Sequence, residues 1–441
     1  MRTRPVSVLP VLLLAAMAPC CAQSWVRRTV TISNEADRAV AQVVRLAFGD
    51  LGLPPDCRRE SLRLTDPERQ QRLLFELDSE RDELRWFVEL APRSSQQYTV
   101  HASADPDLLP VSVDALPRAQ VMPGDRTAGN RSQELTYRGP GPPFTLVLQD
   151  NVPYDPDVTQ THPQPLTEAD QRWMNELWRR RVGVASLRIA GQELVAGHWP
   201  GFWTALSYYY DGRPYNLSRL DHVSATRGSL ISSLVAGGEA ESFAYGWGHG
   251  LKVELGVEVM PVSRVRFTWA LTAPYDLATV PESGRPAQPE GRPSIAALNF
   301  LPESVAPVFD RVLWHDEAGE LQRAGIGIAE DRVFLSARPG GSGWCALYGT
   351  ETGTLLGLVP EQWGDGGIVH LASCDGSGYP RNVLQMHMVG TPTNNWRAGE
   401  SHTWAYSLVV RQVATEALAI ATMDAARASQ SPALRVTVRH N

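Results

Sequence analysis

The chain has 441 residues, enough for two or more domains at about 100–200 residues each. Its formal net charge is −7, with 41 Lys and Arg against 48 Asp and Glu, which speaks against nucleic acid or an anionic membrane surface as the main partner. There is no P-loop, G-x-S-x-G elbow or H-E-x-x-H, and Lys252 is the only lysine, so nucleotide-driven, serine-hydrolase, zincin and Schiff-base chemistry are all disfavoured.

Residues 1–22 read as a cleavable export signal. Arg2 and Arg4 form a short positive region, a mostly apolar run extends from Val6 to Ala18, and Ala22 places a small residue before Gln23. The run is shorter than the roughly 20 apolar residues that span a bilayer. Cys20 and Cys21 offer lipid attachment as a second route, although Pro19 stands where a small residue is wanted. The expected location is secreted or periplasmic, with no membrane span.

Residues 23–103 are expected to form a small β-sandwich. Thr29–Ser33, Val43–Phe48, Arg85–Leu90 and Gln97–His101 are strand-like, with Asp56, Asp66 and Pro67 marking turns. Residues 104–131 are rich in Pro, Asp and Gly and read as a linker. A large β unit follows over residues 132–410. In it Val253, Leu255, Val257 and Val259 alternate with Lys252, Glu254, Gly256 and Glu258. Val265, Phe267, Trp269 and Leu271 alternate with Arg264, Arg266 and Thr268. Such period-two runs are half-buried antiparallel strands. Further strands are expected at Phe144–Leu148, Val184–Ala190, Ser229–Ala236, Arg332–Ala337, Gly367–Ala372, Val383–Val389 and Thr403–Val410. A helix capped by Thr167 carries Trp173, Leu177 and Trp178 on one face. Residues 411–441 complete the chain with a helix from about Gln412 to Arg427 and a strand, Leu434–Val438. The fold class is all-β with a few peripheral helices.

Beyond the leader the cysteines are Cys57, Cys345 and Cys374. In an oxidising compartment Cys345 and Cys374 are expected to pair as a disulfide across neighbouring strands, leaving Cys57 over. No C-x-x-C or Cys/His cluster is present, so no metal and no cofactor are expected. His370 and His387 lie on strand-like runs that can meet in space, and with Glu254 or Glu258 they make a weak alternative ligand set.

Residues 197–250 carry the densest chemistry. Here His198, Trp199 and Trp203 are followed by Tyr209 and Tyr210, then Arg219, Asp221 and His222, then Trp247 and His249. Aromatics among glycines suit sugar binding, since a flat ring stacks on the C–H face of a pyranose while Arg, Asp and His bond its hydroxyls. The substrate-binding candidates are His198, Trp199, Trp203, Tyr210, Asp221 and Trp247. Core and turn packing is the competing reading for each aromatic taken alone. Gly246–Gly250 precedes a strand, so it offers no helix N-terminus to a phosphate.

Two stretches resemble known secreted carbohydrate-active proteins. Asp82–Pro92 leading to Tyr98–Val100 resembles the N-terminal sandwich of bacterial members. Trp396-Arg397-Ala398-Gly399-Glu400-Ser401-His402-Thr403-Trp404, with the strand after it, resembles the closing strands of galactose-mutarotase-like domains. The resemblance implies a large antiparallel β-supersandwich, a fold also found in polysaccharide lyases, and a polysaccharide or oligosaccharide ligand. It implies either mutarotase-like catalysis, with a histidine acid and a carboxylate base, or lyase-like abstraction of the proton α to a uronate carboxyl. His222, His249, Arg219 and Tyr209 are then the first catalytic candidates. The alternative is a non-catalytic glycan-binding or envelope-associated structural protein.

Overall fold

The computed structural model describes residues 25–37, 40–68, 71–78, 81–105, 118–122, 132–137, 142–152, 181–194, 206–210, 213–228, 230–242, 251–261, 263–274, 292–300, 308–315, 318–325, 334–337, 343–362, 368–374, 383–389, 397–428 and 434–440. The first unit holds β1 (Val26–Asn34), β2 (Val40–Ala47), helix α1 (Phe48–Leu51), β3 (Arg58–Asp66), β4 (Gln71–Arg72), β5 (Phe75–Asp78), β6 (Glu83–Leu90) and β7 (Ser95–Ser103). Next come β8 (Arg118–Met122), β9 (Ser132–Tyr137), β10 (Phe144–Val152), β11 (Arg181–Ile189) and β12 (Gln192–Glu193). The large unit continues with β13 (Leu206–Tyr210), β14 (Arg213–Arg227), β15 (Ser232–Ser242), β16 (Leu251–Met260), β17 (Arg264–Thr272), β18 (Arg292–Phe300) and β19 (Arg311–His315). After these come β20 (Leu321–Gly325), β21 (Phe334–Ala337), β22 (Cys345–Tyr348), β23 (Thr354–Gln362), β24 (Ile368–Cys374), β25 (Val383–Val389) and β26 (Ser401–Gln412). Helix α2 (Glu416–Ala428) and β27 (Leu434–His440) finish the chain.

The fold is all-β and antiparallel, as the alternation predicts. In the first unit Val30 and Ile32 are buried between half-exposed Thr29, Thr31 and Ser33. Two sheets, β27-β1-β7-β3-β4 and β2-β6-β5, close on Trp86, Tyr98, Leu62, Leu64 and Val100. The Asp66 carboxylate accepts the Glu68 N–H at 3.0 Å, which turns the chain where β3 ends. The terminal strand belongs here: β27 pairs with β1, setting Val438 opposite Val30 and Val436 opposite Ile32. The stretch expected as a linker supplies β8, which pairs with β9.

The large unit sets the sheet β12-β11-β10-β9-β8 against a 14-stranded sheet ordered β20-β19-β22-β23-β26-β17-β16-β15-β14-β13-β18-β25-β24-β21. The ends of the long sheet come together, β19 against β21 and β22 against β24. Val253, Leu255, Val257 and Val259 of β16 and Val265, Phe267, Trp269 and Leu271 of β17 share one core with Leu146, Leu187 and Ile189. Each such side chain contributes roughly 1.5–3 kcal/mol by leaving water.

Helix α2 begins four residues later than expected, because Gln412 still pairs with Thr354 in the ladder. The Thr415 hydroxyl accepts the Leu418 N–H at 3.2 Å and supplies the cap. Ala419, Met423 and Ala426 pack on Trp344, Tyr348, Val359 and Val409. The strand expected at Ser229–Ala236 starts at Ser232, after a turn. The helix expected after Thr167 lies outside the described residues. Cys345 is buried with a free thiol, and burial pushes that thiol's pKa up, away from thiolate chemistry; the side chain of Cys374, its expected disulfide partner, lies outside the described residues.

Candidate functional site

Residues directly opposite one another in an antiparallel ladder share a face. Burial fixes which face is which on the central strands. Leu234, Ala236, Val253 and Leu255 are in the core, whereas Val235, Lys252 and Glu254 are exposed. The register then writes the face opposite the core as rows crossing β14, β15, β16, β17 and β26, open at Val235, Lys252 and Glu254 and covered at Ala405 and Ser407. One row reads Arg219, Glu239, Lys252, Thr272, Ser401. The next reads His222, Gly237, Glu254, Ala270, Thr403. A third reads Ser224, Val235, Gly256, Thr268, Ala405, and a fourth Thr226, Ser233, Glu258, Arg266, Ser407.

Two register shifts on β14 shape the first rows. The shift between Leu217 and Arg219 sets Arg219 opposite Glu239. The shift between Leu220 and His222 leaves Asp221 without a register partner on β15. Bulges of this kind re-aim side chains and concentrate near active sites. His222 and Glu254 sit two strands apart, about 9.5 Å at the usual spacing. Only Gly237 lies between them in the row.

Glu254 is exposed and has no ion-pair or hydrogen-bond partner among the described residues. Lys252 is in the same condition. The fourth row is tied down instead. Glu258 meets Arg266 at 3.5 Å, Arg266 Nε donates to Glu361 Oε2 at 2.7 Å, and Arg264 donates to Glu361 Oε1 at 2.7 Å. The Ser407 hydroxyl also donates to Glu361. Burial alone would raise the pKa of Glu361, but the two guanidinium groups and this hydroxyl hold it below the usual carboxylate range.

The first unit reaches this sheet through Glu76 of β5. Its Oε2 accepts the N–H groups of Leu230 and Ile231, at 3.1 and 3.0 Å, in the turn between β14 and β15. A Cβ at Gly228 would stand 2.2 Å from Ile231 O and 2.5 Å from that carboxylate, so only glycine fits the turn as it is clamped.

Of the catalytic candidates, Arg219 and His222 fall on neighbouring rows of one face. Tyr209 falls on the same face by register, since Ser207 two residues before it is opposite Asn216 and, through it, Glu241. It lies toward the other end of β14, beside Pro214. Tyr210 has the opposite parity. His198, Trp199, Trp203, Trp247 and His249 lie outside the described residues. His370 and His387 are directly opposite each other on β24 and β25. Glu254 is five strand positions from β25, so the register does not bring it to those histidines. Among the described residues no cluster of three His, Cys, Asp or Glu could hold a metal. Sequence reasoning reached Glu254 only as a metal partner. Its pairing with His222 needed the hairpin register, which two bulges shift.

No protein-family model matches the chain, and no curated protein matches it. Solved structures do. They include a protein from Klebsiella pneumoniae provisionally named an aldose 1-epimerase, 8% identical, covering 89% of this chain and 96% of its own, at a TM-score of 0.43. Galactose 1-epimerase from Lactobacillus acidophilus is 8% identical over 67% of this chain and 99% of its own, at 0.38. A protein from Escherichia coli, also provisionally named an aldose 1-epimerase, is 10% identical over 64% of this chain and all of its own, at 0.32.

Proposed function

We propose that the chain acts on a reducing sugar outside the cytoplasm and interconverts its anomers. The observation that carries this reading is the row His222–Gly237–Glu254: a histidine position and a carboxylate with no partner among the described residues, on either side of a glycine, in a row where Glu254 is exposed. A pyranose over Gly237 has its anomeric hydroxyl and its ring oxygen on one carbon, set between the two flanking positions.

In the reaction Glu254 takes the proton of the anomeric hydroxyl. The bond between the anomeric carbon and the ring oxygen breaks as the carbonyl forms, and His222, in its protonated form, gives its proton to the ring oxygen. Rotation about the adjacent C–C bond and closure by the reverse steps yield the other anomer, and both groups return to their starting states. Histidine suits the acid role because it exchanges protons near neutral pH. Arg219 and Lys252, one row away, orient hydroxyls beside the reacting centre. The leader-like residues 1–22 support export, in which case glycans and their breakdown products are the sugars at hand.

The test is polarimetry or NMR of anomeric interconversion with purified protein and a panel of reducing sugars. Glu254→Gln and His222→Asn are each expected to lower the rate by about 10²- to 10⁴-fold, the usual contribution of one acid or base. Unsaturated product from a uronate polymer, with no anomerisation, would replace this reading by eliminative cleavage. Binding with neither activity would leave a glycan-binding protein.

A further inference from the structure

The third and fourth rows hold a feature that the acid–base pair does not use. Val235 is one of the large apolar side chains that stay exposed, at 45%. Its neighbours on the face are small: Ser233 and Gly237 along β15, Ser224 and Gly256 across the ladder. It therefore stands as an apolar ridge above a low floor, beside the slot over Gly237. The floor at Gly256 is open as well. A Cβ there would meet Thr268 Cβ at 3.7 Å and nothing closer among the described residues, so packing by them does not explain the glycine.

Beyond Gly256 stands the Glu258–Arg266 pair, at 3.5 Å, with each side chain about one-third exposed. Arg266 is fixed through Nε by Glu361, and its second terminal nitrogen has no partner among the described residues. Glu258 bonds Arg266 through Oε2, which leaves Oε1 without a partner among them. A held guanidinium and carboxylate side by side present a donor and an acceptor to adjacent hydroxyls. An aliphatic ridge, an empty floor and a donor–acceptor pair are what a second pyranose ring requires: a C–H face to cover and a diol to bond.

We infer that Val235, Gly256, Glu258 and Arg266 form a second sugar subsite next to the His222–Glu254 row, and that the ligand is a disaccharide or longer chain in place of a free monosaccharide. Rows on one strand are two residues apart, about 6.8 Å, so consecutive rings of one chain can occupy both. This rests on the proposed sugar site, but its readout is binding and is independent of turnover.

The experiment is equilibrium titration of the full chain with D-glucose, cellobiose, D-galactose and lactose. In the wild type at least one disaccharide is expected to bind about tenfold or more tightly than its parent monosaccharide, the discrimination one pocket contact provides. In Gly256→Val, which fills the floor, and in Val235→Asp, which makes the ridge polar, the ratio is expected to fall to about one. Thermal unfolding checks that both variants are folded, and Gly256→Ala, whose methyl fits, should keep part of the preference. In His222→Asn the preference should survive. Equal binding of mono- and disaccharide by the wild type, or a preference untouched by Gly256→Val, would overturn the subsite. A preference that follows these variants, in a protein with no anomerisation, keeps the subsite and removes the proposed reaction.

Discussion

At the residue scale, the most constrained side chain on the central sheet is Glu361. It is held by Arg264, Arg266 and Ser407, and its pKa lies below the usual carboxylate range. A carboxylate with a lowered folded-state pKa stabilises the fold above its unfolded pKa, and that stability is lost as pH falls through the folded value. The wild type should therefore weaken under acid, from the ordinary carboxylate range downward. Glu361→Gln should lose about 3 kcal/mol or more at neutral pH, because two guanidinium groups keep less than their full partner. Its unfolding should also vary less with pH across that acid window, as denaturant titrations at several pH values would show. Equal pH slopes for the two proteins would mean that this cluster is not the acid-sensitive element. The alternation around Arg264 and Arg266 was plain in the sequence. Their partner was not, because Glu361 is about 95 residues away along the chain and only the β23–β26–β17 order joins them.

At the element scale, the β27 strand ties the end of the chain to its beginning. The strand itself was legible from Leu434–Val438, but its partner was not. A seven-residue amphipathic strand fits any open edge of matching polarity, and only tertiary packing selects β1. Truncation after residue 430 removes Leu434, Val436 and Val438 from the first core and bares the β1 edge. Loss of these partly buried aliphatics, at about 1 kcal/mol or more each, should bring forward a separate unfolding step of the first unit. Calorimetry and limited proteolysis would register it; a truncated chain with an unchanged transition would show that β27 adds no stability. The same limit explains β14. Its strand character was readable, while the bulges that set Arg219 opposite Glu239 and leave Asp221 without a register partner on β15 are properties of the pairing.

At the scale of the whole molecule, a small sandwich braces a large one. Glu76 of the first holds the β14–β15 turn of the second through two N–H groups, and Arg411 of β26 meets Glu89 of β6 at 2.9 Å. The β14–β15 hairpin carries His222, Gly237 and Val235, so its register is set partly from outside its own sheet. Glu76→Ala should speed hydrogen exchange at Leu230 and Ile231 by roughly 10-fold or more, since each lost charge-assisted bond is worth about 1.5–3 kcal/mol. Unchanged exchange there would mean that the turn holds its shape unaided. The all-β architecture was open to sequence reading because period-two patterning declares a half-buried strand wherever it lies. The site was only partly so, because it is made by rows that cross five strands.

The measurement that bears most directly on the central claim is the rate of anomeric interconversion of reducing sugars by the wild type, His222→Asn and Glu254→Gln, each verified as folded. The row geometry predicts catalysis by the wild type and a fall of about 10²-fold or more in each variant. A wild-type rate equal to the buffer rate across the panel, or full activity in both variants, would contradict it.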